Sequence, residues 1–157
     1  MRLTKLAPIV GVCVVSFFPV SATAQQWVMN CQSNLCLDIT NPGGPVQMQN
    51  CDEGLVGQQW DARQPLPENI QNRFNGQCLD FNIANGMVVT NACNPGYMAQ
   101  RWDYRQDWFP NPIRNMYTNQ CLDAAGGNVL SAPCSSSPTQ MWKWVNIGDS
   151  APGCPPH

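Results

Sequence analysis

The chain of 157 residues contains eight Lys and Arg, ten Asp and Glu and one His, for a formal net charge of −2. This weakly acidic balance, without a basic cluster, lacks the electrostatic footprint of a nucleic-acid-binding protein. The one His is the last residue, His157, so a Ser–His–Asp or Cys–His catalytic arrangement has no general base.

The first 24 residues have the pattern of a secretory signal peptide. Arg2 and Lys5 give a basic start, residues 6–20 are mostly apolar, and residues 22–24 form an Ala-x-Ala cleavage site. The apolar run is shorter than the roughly 20 residues of a membrane-spanning helix and contains prolines. We therefore expect cleavage after residue 24, a secreted protein and no membrane span.

A three-fold repeat follows. The triplet Cys-Leu-Asp occurs three times, at intervals of 42 and 43 residues, and Gln-x-Trp follows each copy at intervals of 42 and 40 residues. The triplets are residues 36–38, 78–80 and 121–123, and the later motifs are residues 58–60, 100–102 and 140–142. An Asn stands in register before each triplet, as Asn30, Asn72 and Asn115. Such a period indicates one supersecondary unit present three times, here named units 1, 2 and 3.

The elements within each unit are predicted to be short strands. Runs such as residues 87–90 are β-prone, turn sequences such as residues 41–44, 85–86 and 126–127 separate them, and no stretch of useful length has helical periodicity. The sequence therefore predicts an all-β domain over residues 25–150, followed by a Pro- and Gly-containing tail over residues 151–157.

The cysteines favour disulfides. Loss of Cys13 with the signal peptide leaves eight of the nine cysteines, an even number in an exported chain. Because equivalent positions should pair alike, the repeat predicts Cys36–Cys51, Cys78–Cys93 and Cys121–Cys134. Cys31 and Cys154 are left over, and they either form a fourth bridge or remain as free or intermolecular thiols. Oxidised cysteines leave no thiolate for a zinc site, and no metal or cofactor is predicted.

The repeated Trp and Gln residues are predicted to be structural. Each Trp can bury 150–250 Å² of surface, so Trp60, Trp102 and Trp142 are expected in the core and not as sugar-stacking platforms. The Gln that opens each Gln-x-Trp motif is expected to satisfy buried backbone groups.

Three Cys-Leu-Asp and Gln-x-Trp units with three cysteine pairs resemble the ricin B-chain type lectin domain over essentially the whole chain after residue 24. The resemblance implies a β-trefoil with pseudo-threefold symmetry, in which twelve strands form a six-stranded barrel capped by three hairpins. It also implies one shallow sugar pocket in each unit, in which a carboxylate binds adjacent hydroxyl groups, an amide assists and an aromatic ring stacks on the sugar.

The family's carboxylate position is kept in all three units, as Asp38, Asp80 and Asp123. The amide position is Gln47, Val89 and Leu130, so unit 1 alone retains it. The aromatic position is Gln49, Asn91 and Ala132, and the residue before Gln-x-Trp, often Asn in the family, is Gly57, Ala99 and Thr139. The predicted carbohydrate-binding residues are Asp38, Gln47, Asp80 and Asp123.

The sequence leaves open whether each Asp binds sugar and which aromatic residue replaces the missing ring. Each Asp has a structural alternative, because Asp after a strand can fix a turn by accepting backbone N–H groups. A displaced aromatic residue can replace the missing ring, and the candidates are Phe81, Tyr97, Tyr117 and the pair Trp108-Phe109. Trp108-Phe109 also has two possible roles: it packs over the base of the barrel, or it forms a surface that binds a partner protein.

The leading functional hypothesis is a secreted, non-catalytic carbohydrate-binding module for glycans, with galactose-like sugars as the candidate class. The alternative is a protein-interaction or targeting subunit of a secreted assembly of the toxin type, with degenerate sugar pockets and a secreted protein partner. Paired carboxylates for glycoside hydrolysis are not favoured, because the repeated Asp residues are related by the three-fold repeat and do not face one another.

Overall fold

The computed structural model describes residues 25–42, 44–62, 68–104 and 111–149. Residues 1–24, with the expected signal peptide, and residues 151–157, with the expected tail, lie outside this range. In the described residues there are twelve short strands and no α-helix. Unit 1 contains β1 (Gln26–Asn30), β2 (Leu35–Asp38), β3 (Gln47–Asn50) and β4 (Trp60–Ala62). Unit 2 contains β5 (Ile70–Asn72), β6 (Cys78–Phe81), β7 (Val88–Asn91) and β8 (Trp102–Asp103). Unit 3 contains β9 (Arg114–Asn115), β10 (Gln120–Asp123), β11 (Leu130–Pro133) and β12 (Trp142–Asn146).

The first and last strands of each unit form a closed barrel. Antiparallel pairing joins β1 to β4, β4 to β5, β8 to β9, and β12 back to β1. The remaining links are a bridge between Glu68 and Trp102, and a hydrogen bond from the Trp142 backbone N–H to the Asn111 carbonyl. Closure removes free strand edges, which otherwise expose unpaired backbone groups.

The middle strands form three hairpins, β2–β3, β6–β7 and β10–β11. Single bridges connect each hairpin to the other two, between Pro45 and Val89, Gln47 and Asn128, and Met87 and Leu130. Six barrel strands with three mutually bridged hairpins make a β-trefoil, which confirms the predicted fold class.

The three repeated Trp residues lie at the centre of the core. Trp60, Trp102 and Trp142 are at most 1% exposed. Their indole Nε1–H groups donate to the carbonyl oxygens of Leu37, Leu79 and Leu122 at 2.9, 3.0 and 2.9 Å. Each indole therefore ties the last strand of its unit to the Leu of its own Cys-Leu-Asp triplet, and the apolar ring fills the barrel.

Disulfides join Cys36 to Cys51, Cys78 to Cys93 and Cys121 to Cys134, which is the pairing that the repeat predicts. Each closes one hairpin with a separation of 13 to 15 residues, a loop worth roughly 3 kcal/mol in the chain-entropy model. The fourth predicted bridge, Cys31–Cys154, involves Cys154, which lies outside the described residues.

Candidate functional site

The Gln of each Gln-x-Trp motif forms hydrogen bonds with the backbone of its unit, next to the repeated Asp. In unit 2 the Gln100 side-chain Oε1 accepts from the Asn94 backbone N–H at 2.8 Å, and its Nε2 donates to the Ala92 carbonyl at 3.0 Å. Gln58 and Gln140 make the equivalent pairs of bonds in units 1 and 3. The Gln residues thus satisfy the backbone groups on either side of the second cysteine of each unit, in the role expected of them from the sequence.

Unit 1 has an open cavity against Asp38. The cavity is about 670 Å³ in volume, and its lining includes Asp38, Gln49, Gly57 and Phe74. Leu55 and Val56 line it as well, and both are more than two-fifths exposed. Asp38, at the end of β2, is 5% exposed. A carboxylate therefore faces a cavity whose remaining walls are partly apolar.

Gly57 lies in close contact with Asp38. A Cβ atom at residue 57 would lie 2.4 Å from the Ile39 carbonyl oxygen and 2.7 Å from Oδ1 of Asp38. Both distances are shorter than non-bonded carbon–oxygen contacts allow. The 3₁₀ turn Val56–Gln58 can therefore approach β2 this closely because residue 57 has no side chain. The amide that the family often places here has no room in unit 1.

Burial raises the pKa of the Asp38 carboxyl above its ordinary value of 3.8. Hydrogen bonds from the Ile39 backbone and the Gln58 side chain act in the opposite direction but are outweighed. The group is thus a carboxylate that has lost part of its hydration, and a ligand that supplies hydroxyl donors would compensate for that loss.

The corresponding Asp residues of units 2 and 3 each accept from the Gln of their own Gln-x-Trp motif, as Asp38 does from Gln58. Oδ2 of Asp80 accepts from Asn91 Nδ2 at 2.9 Å and from Gln100 Nε2 at 3.1 Å. Oδ2 of Asp123 accepts from Gln140 Nε2 at 2.9 Å. Their Oδ1 atoms are buried and have no hydrogen-bond partner among the residues that the structure describes. Neither residue lines the cavity at Asp38 or the smaller cavities at Tyr104 and at Asp61. The carboxylate is therefore repeated in all three units, and Asp38 is the copy that lines one of these three cavities.

Gln47 lies opposite Asp38 in the β2–β3 ladder, but its side chain donates to the Thr40 hydroxyl at 3.2 Å. It also takes part in a bridge to Asn128, between hairpins, and it does not line the cavity. Gln49, at the position where the family has its aromatic ring, does line the cavity. The structure thus brings Gln49, rather than Gln47, to the same cavity as Asp38.

Among the aromatic residues considered as replacements for the missing ring, the prediction for Phe81 is wrong. It is 8% exposed and belongs to the hydrophobic core, where its ring is not available to a ligand. Tyr97 and Tyr117 are 39% and 54% exposed. Trp108-Phe109 lies outside the described residues. The aromatic residue at the Asp38 cavity is Phe74 instead, which was not among the candidates from the sequence.

The sequence feature that could have identified Phe74 is its position two residues after Asn72, the Asn that stands before the Cys-Leu-Asp triplet of unit 2. Asn72 is fully buried; its Nδ2 donates to the Gly57 carbonyl at 2.8 Å, and its Oδ1 accepts from the Phe74 backbone N–H at 2.9 Å. Asn115 and Asn30 bond in the same way to the carbonyls of Ala99 and Thr139. Each Asn therefore connects its unit to the residue before Gln-x-Trp in a neighbouring unit, and in unit 2 it holds Phe74 beside the cavity of unit 1.

Across the described ranges, no group of three or more His, Cys, Asp or Glu side chains is placed to hold a metal ion. The same part of the chain has no helix that is long and apolar enough to cross a membrane.

Comparisons with known proteins agree with this architecture. The family model of the ricin-type beta-trefoil lectin domain matches residues 17–102 and residues 66–150. The designed three-fold symmetric protein ThreeFoil superposes with a TM-score of 0.70 at 19% identity, over 78% of this chain and 99% of ThreeFoil. The C-half of an earthworm R-type lectin, solved in complex with GalNAc, superposes with a TM-score of 0.65 at 18% identity, over 78% and 98% of the two chains.

The hemolytic lectin CEL-III superposes with a TM-score of 0.62 at 27% identity, over 75% of this chain and 29% of CEL-III. The present chain thus spans less than a third of that protein. Comparison with curated protein sequences finds no match.

Proposed function

Because the chain belongs to the ricin-type β-trefoil lectin domain family, we propose that it is a secreted, non-catalytic carbohydrate-binding protein whose sugar site is the cavity at Asp38. The observation that supports this most directly is that Asp38 lines an open cavity of about 670 Å³, whereas Asp80 and Asp123 line none of the three cavities described above.

The chemistry of the cavity suits a sugar hydroxyl pair. A carboxylate has acceptor sites on both oxygens, so Asp38 can accept from two adjacent hydroxyl groups. Gln49 offers an amide with both donor and acceptor atoms at the same cavity. Galactose-like sugars are the first class to test. A single shallow sugar site typically binds in the millimolar range, about −4 kcal/mol.

Secretion is part of the proposal. The signal-peptide pattern of residues 1–24 and three disulfides favour an oxidising compartment. The absence of catalysis is supported by the family and by the sequence, whose one His is the last residue.

A glycan panel tests the proposal. The oxidised protein is compared with Asp38→Asn and with Asp123→Asn, a matched control at the equivalent position of unit 3. We expect glycan binding by the unmodified protein and by Asp123→Asn, and loss of at least tenfold in affinity for Asp38→Asn. Near-UV circular dichroism establishes that each variant is folded. No binding to any glycan, or equal losses in both variants, would contradict the proposal.

A protein-interaction or targeting role is the second candidate, and it is favoured by an exposed apolar set in units 2 and 3. Tyr97, Met98 and Tyr117 are each between 39% and 54% exposed. Asp80, in the same unit as Tyr97 and Met98, accepts a hydrogen bond from Asn91. A stoichiometric secreted partner that co-purifies from culture fluid, and that Tyr117→Ser releases, would support this role. Retention on a sugar column without any such partner would favour the lectin.

A further inference from the structure

We propose that the cavity at Asp38 accepts a glycoside with an apolar aglycone, with the sugar hydroxyls at Asp38 and the aglycone against Leu55, Val56 and Phe74. These three side chains are here called the apolar wall. The inference rests on the proposed sugar site and adds the chemical class of the ligand that fills it.

The size of the cavity supports a ligand larger than one sugar. Its volume of about 670 Å³ lies within the range of roughly 300–1,000 Å³ that is typical of small-molecule sites. A single pyranose ring held at Asp38 would occupy only a fraction of this volume. The apolar wall bounds one side of the remaining space, and Thr40, Asn50 and Asp52 also line the cavity. A hydroxyl-rich second sugar placed against the apolar wall would lose hydration without gaining hydrogen bonds from its side chains.

The exposure of the apolar wall points in the same direction. Leu55, Val56 and Phe74 are 45%, 43% and 52% exposed, and all three line the one cavity that contains Asp38. Single exposed apolar residues are ordinary, but several around one concave surface indicate an apolar binding partner. An aglycone that covers them removes apolar surface from water on both sides of the contact.

The apolar wall is also held in place by buried contacts. The Phe74 backbone N–H donates to Oδ1 of Asn72, and Nδ2 of the same side chain donates to the Gly57 carbonyl, in the turn that carries Val56. One buried Asn therefore connects both sides of the apolar wall. A wall fixed before binding costs less conformational entropy when a ligand arrives.

The other two units do not combine these features. The residues equivalent to Leu55, Val56 and Phe74 are Ser137, Pro138 and Gln32 at the pocket position of unit 3, where the wall is largely polar. They are Tyr97, Met98 and Tyr117 at unit 2, where the wall is apolar but Asp80 accepts an additional bond from Asn91 and lines none of the described cavities. Among the cavities described, the one at Asp38 therefore combines a repeated carboxylate with an apolar wall.

The test is isothermal titration of the oxidised protein with methyl, phenyl and hexyl β-galactosides, followed by the same three aglycones on the sugar that the glycan panel selects. We expect the phenyl or hexyl glycoside to bind at least tenfold more tightly than the methyl glycoside. Tenfold corresponds to roughly 55 Å² of buried apolar surface at about 25 cal/mol per Å². A preference for phenyl indicates aryl glycosides as the natural class, and a preference for hexyl indicates glycolipids.

Two variants assign the effect to the apolar wall. Phe74→Ser, at a half-exposed position, should bring the affinities for the three aglycones to within about twofold of one another while methyl glycoside binding changes little. Tyr117→Ser, the equivalent change at unit 2, should leave the tenfold preference intact. Equal affinities for all three aglycones would overturn the inference and leave the sugar site standing, whereas failure of every glycoside in the panel and the titration would overturn both.

Discussion

At the scale of single residues, the same carboxylate has three environments. Asp38 accepts from Gln58 and lines a cavity, Asp80 accepts from Asn91 and Gln100, and Asp123 accepts from Gln140. The difference arises from neighbours outside the Cys-Leu-Asp triplet. Asn91 bonds Asp80, whereas the equivalent Gln49 lines the cavity at Asp38. A motif that is repeated faithfully can therefore serve a structural role in one unit and face a ligand-sized cavity in another.

The raised pKa of Asp38 leads to a prediction for the pH dependence of sugar binding. The charged form accepts hydroxyl hydrogen bonds, so affinity should fall as the pH drops through the Asp38 pKa, with a midpoint above 3.8. Because the folded-state pKa is raised, Asp38 favours folding most below its unfolded-state pKa, and this contribution is lost as the pH rises through the folded-state value. Titrations of a methyl glycoside between about pH 3 and pH 7 measure the midpoint. A midpoint at or below 3.8 would contradict the assignment of Asp38 as the acceptor.

At the scale of the elements, the turn after the first strand of each unit is anchored to a neighbouring unit. Asn72, Asn115 and Asn30 donate to the carbonyls of Gly57, Ala99 and Thr139 at 2.7 to 2.8 Å. The acceptor in each case lies in or beside the 3₁₀ turn before a core Trp. These bonds join the units around the barrel and set the position of the residues that flank each pocket.

Replacement of Asn72 by Ala should lower the free energy of unfolding by about 1–3 kcal/mol, because buried partners at Gly57 and Phe74 lose a hydrogen bond. Asn75→Ala is the control within the same turn, since Asn75 bonds only to nearby Gln77 among the hydrogen bonds described for it. Urea denaturation measures both variants. Equal losses of stability in the two variants would show that the hydrogen bond between units contributes no more to stability than a hydrogen bond within the turn.

At the scale of the whole molecule, the barrel depends on pairing between the two ends of the described chain. The β1–β12 ladder joins residues 26–30 to residues 142–146 through five residue pairs. Trp142, at the start of β12, also lies in the same hydrophobic core as Trp60 and Trp102. The three units consequently share one core, and none of them closes the barrel alone.

Removal of β12 should therefore unfold all three units together. A chain that ends at Met141 is expected to lose its near-UV circular dichroism and its cooperative thermal transition. The matched control ends at Asp149, which keeps β12, and both chains carry Cys31→Ser so that the predicted fourth bridge does not differ between them. Persistence of a cooperative transition in the shorter chain would mean that units 1 and 2 form a stable core by themselves.

Much of the architecture was predictable from the repeat. Equal spacing places Trp60, Trp102 and Trp142 at equivalent positions, and large apolar residues at equivalent positions of a three-unit fold share one core. The disulfides within the three hairpins follow from the same argument. The signal peptide of residues 1–24, the domain bounds 25–150 and the Cys31–Cys154 bridge stay predictions.

The candidate site was only partly predictable. Asp38 was identified from its triplet, but Gln47 bonds to Thr40, Phe81 lies in the core, and Phe74 was missed. Phe74 belongs to unit 2 while the cavity belongs to unit 1, so motifs compared within one unit do not place it there. A contact between units depends on where a turn of one unit meets its neighbour.

By itself, the sequence determined the three-unit all-β fold, the hairpin disulfides and the Trp core, because each follows from a pattern that recurs at a fixed spacing. Only the tertiary structure decided which of the three carboxylates faces an open cavity and which side chains surround it. Those features depend on contacts such as the close approach of Gly57 to Asp38 and the bond from Asn72 to Gly57, which form between segments distant in the chain.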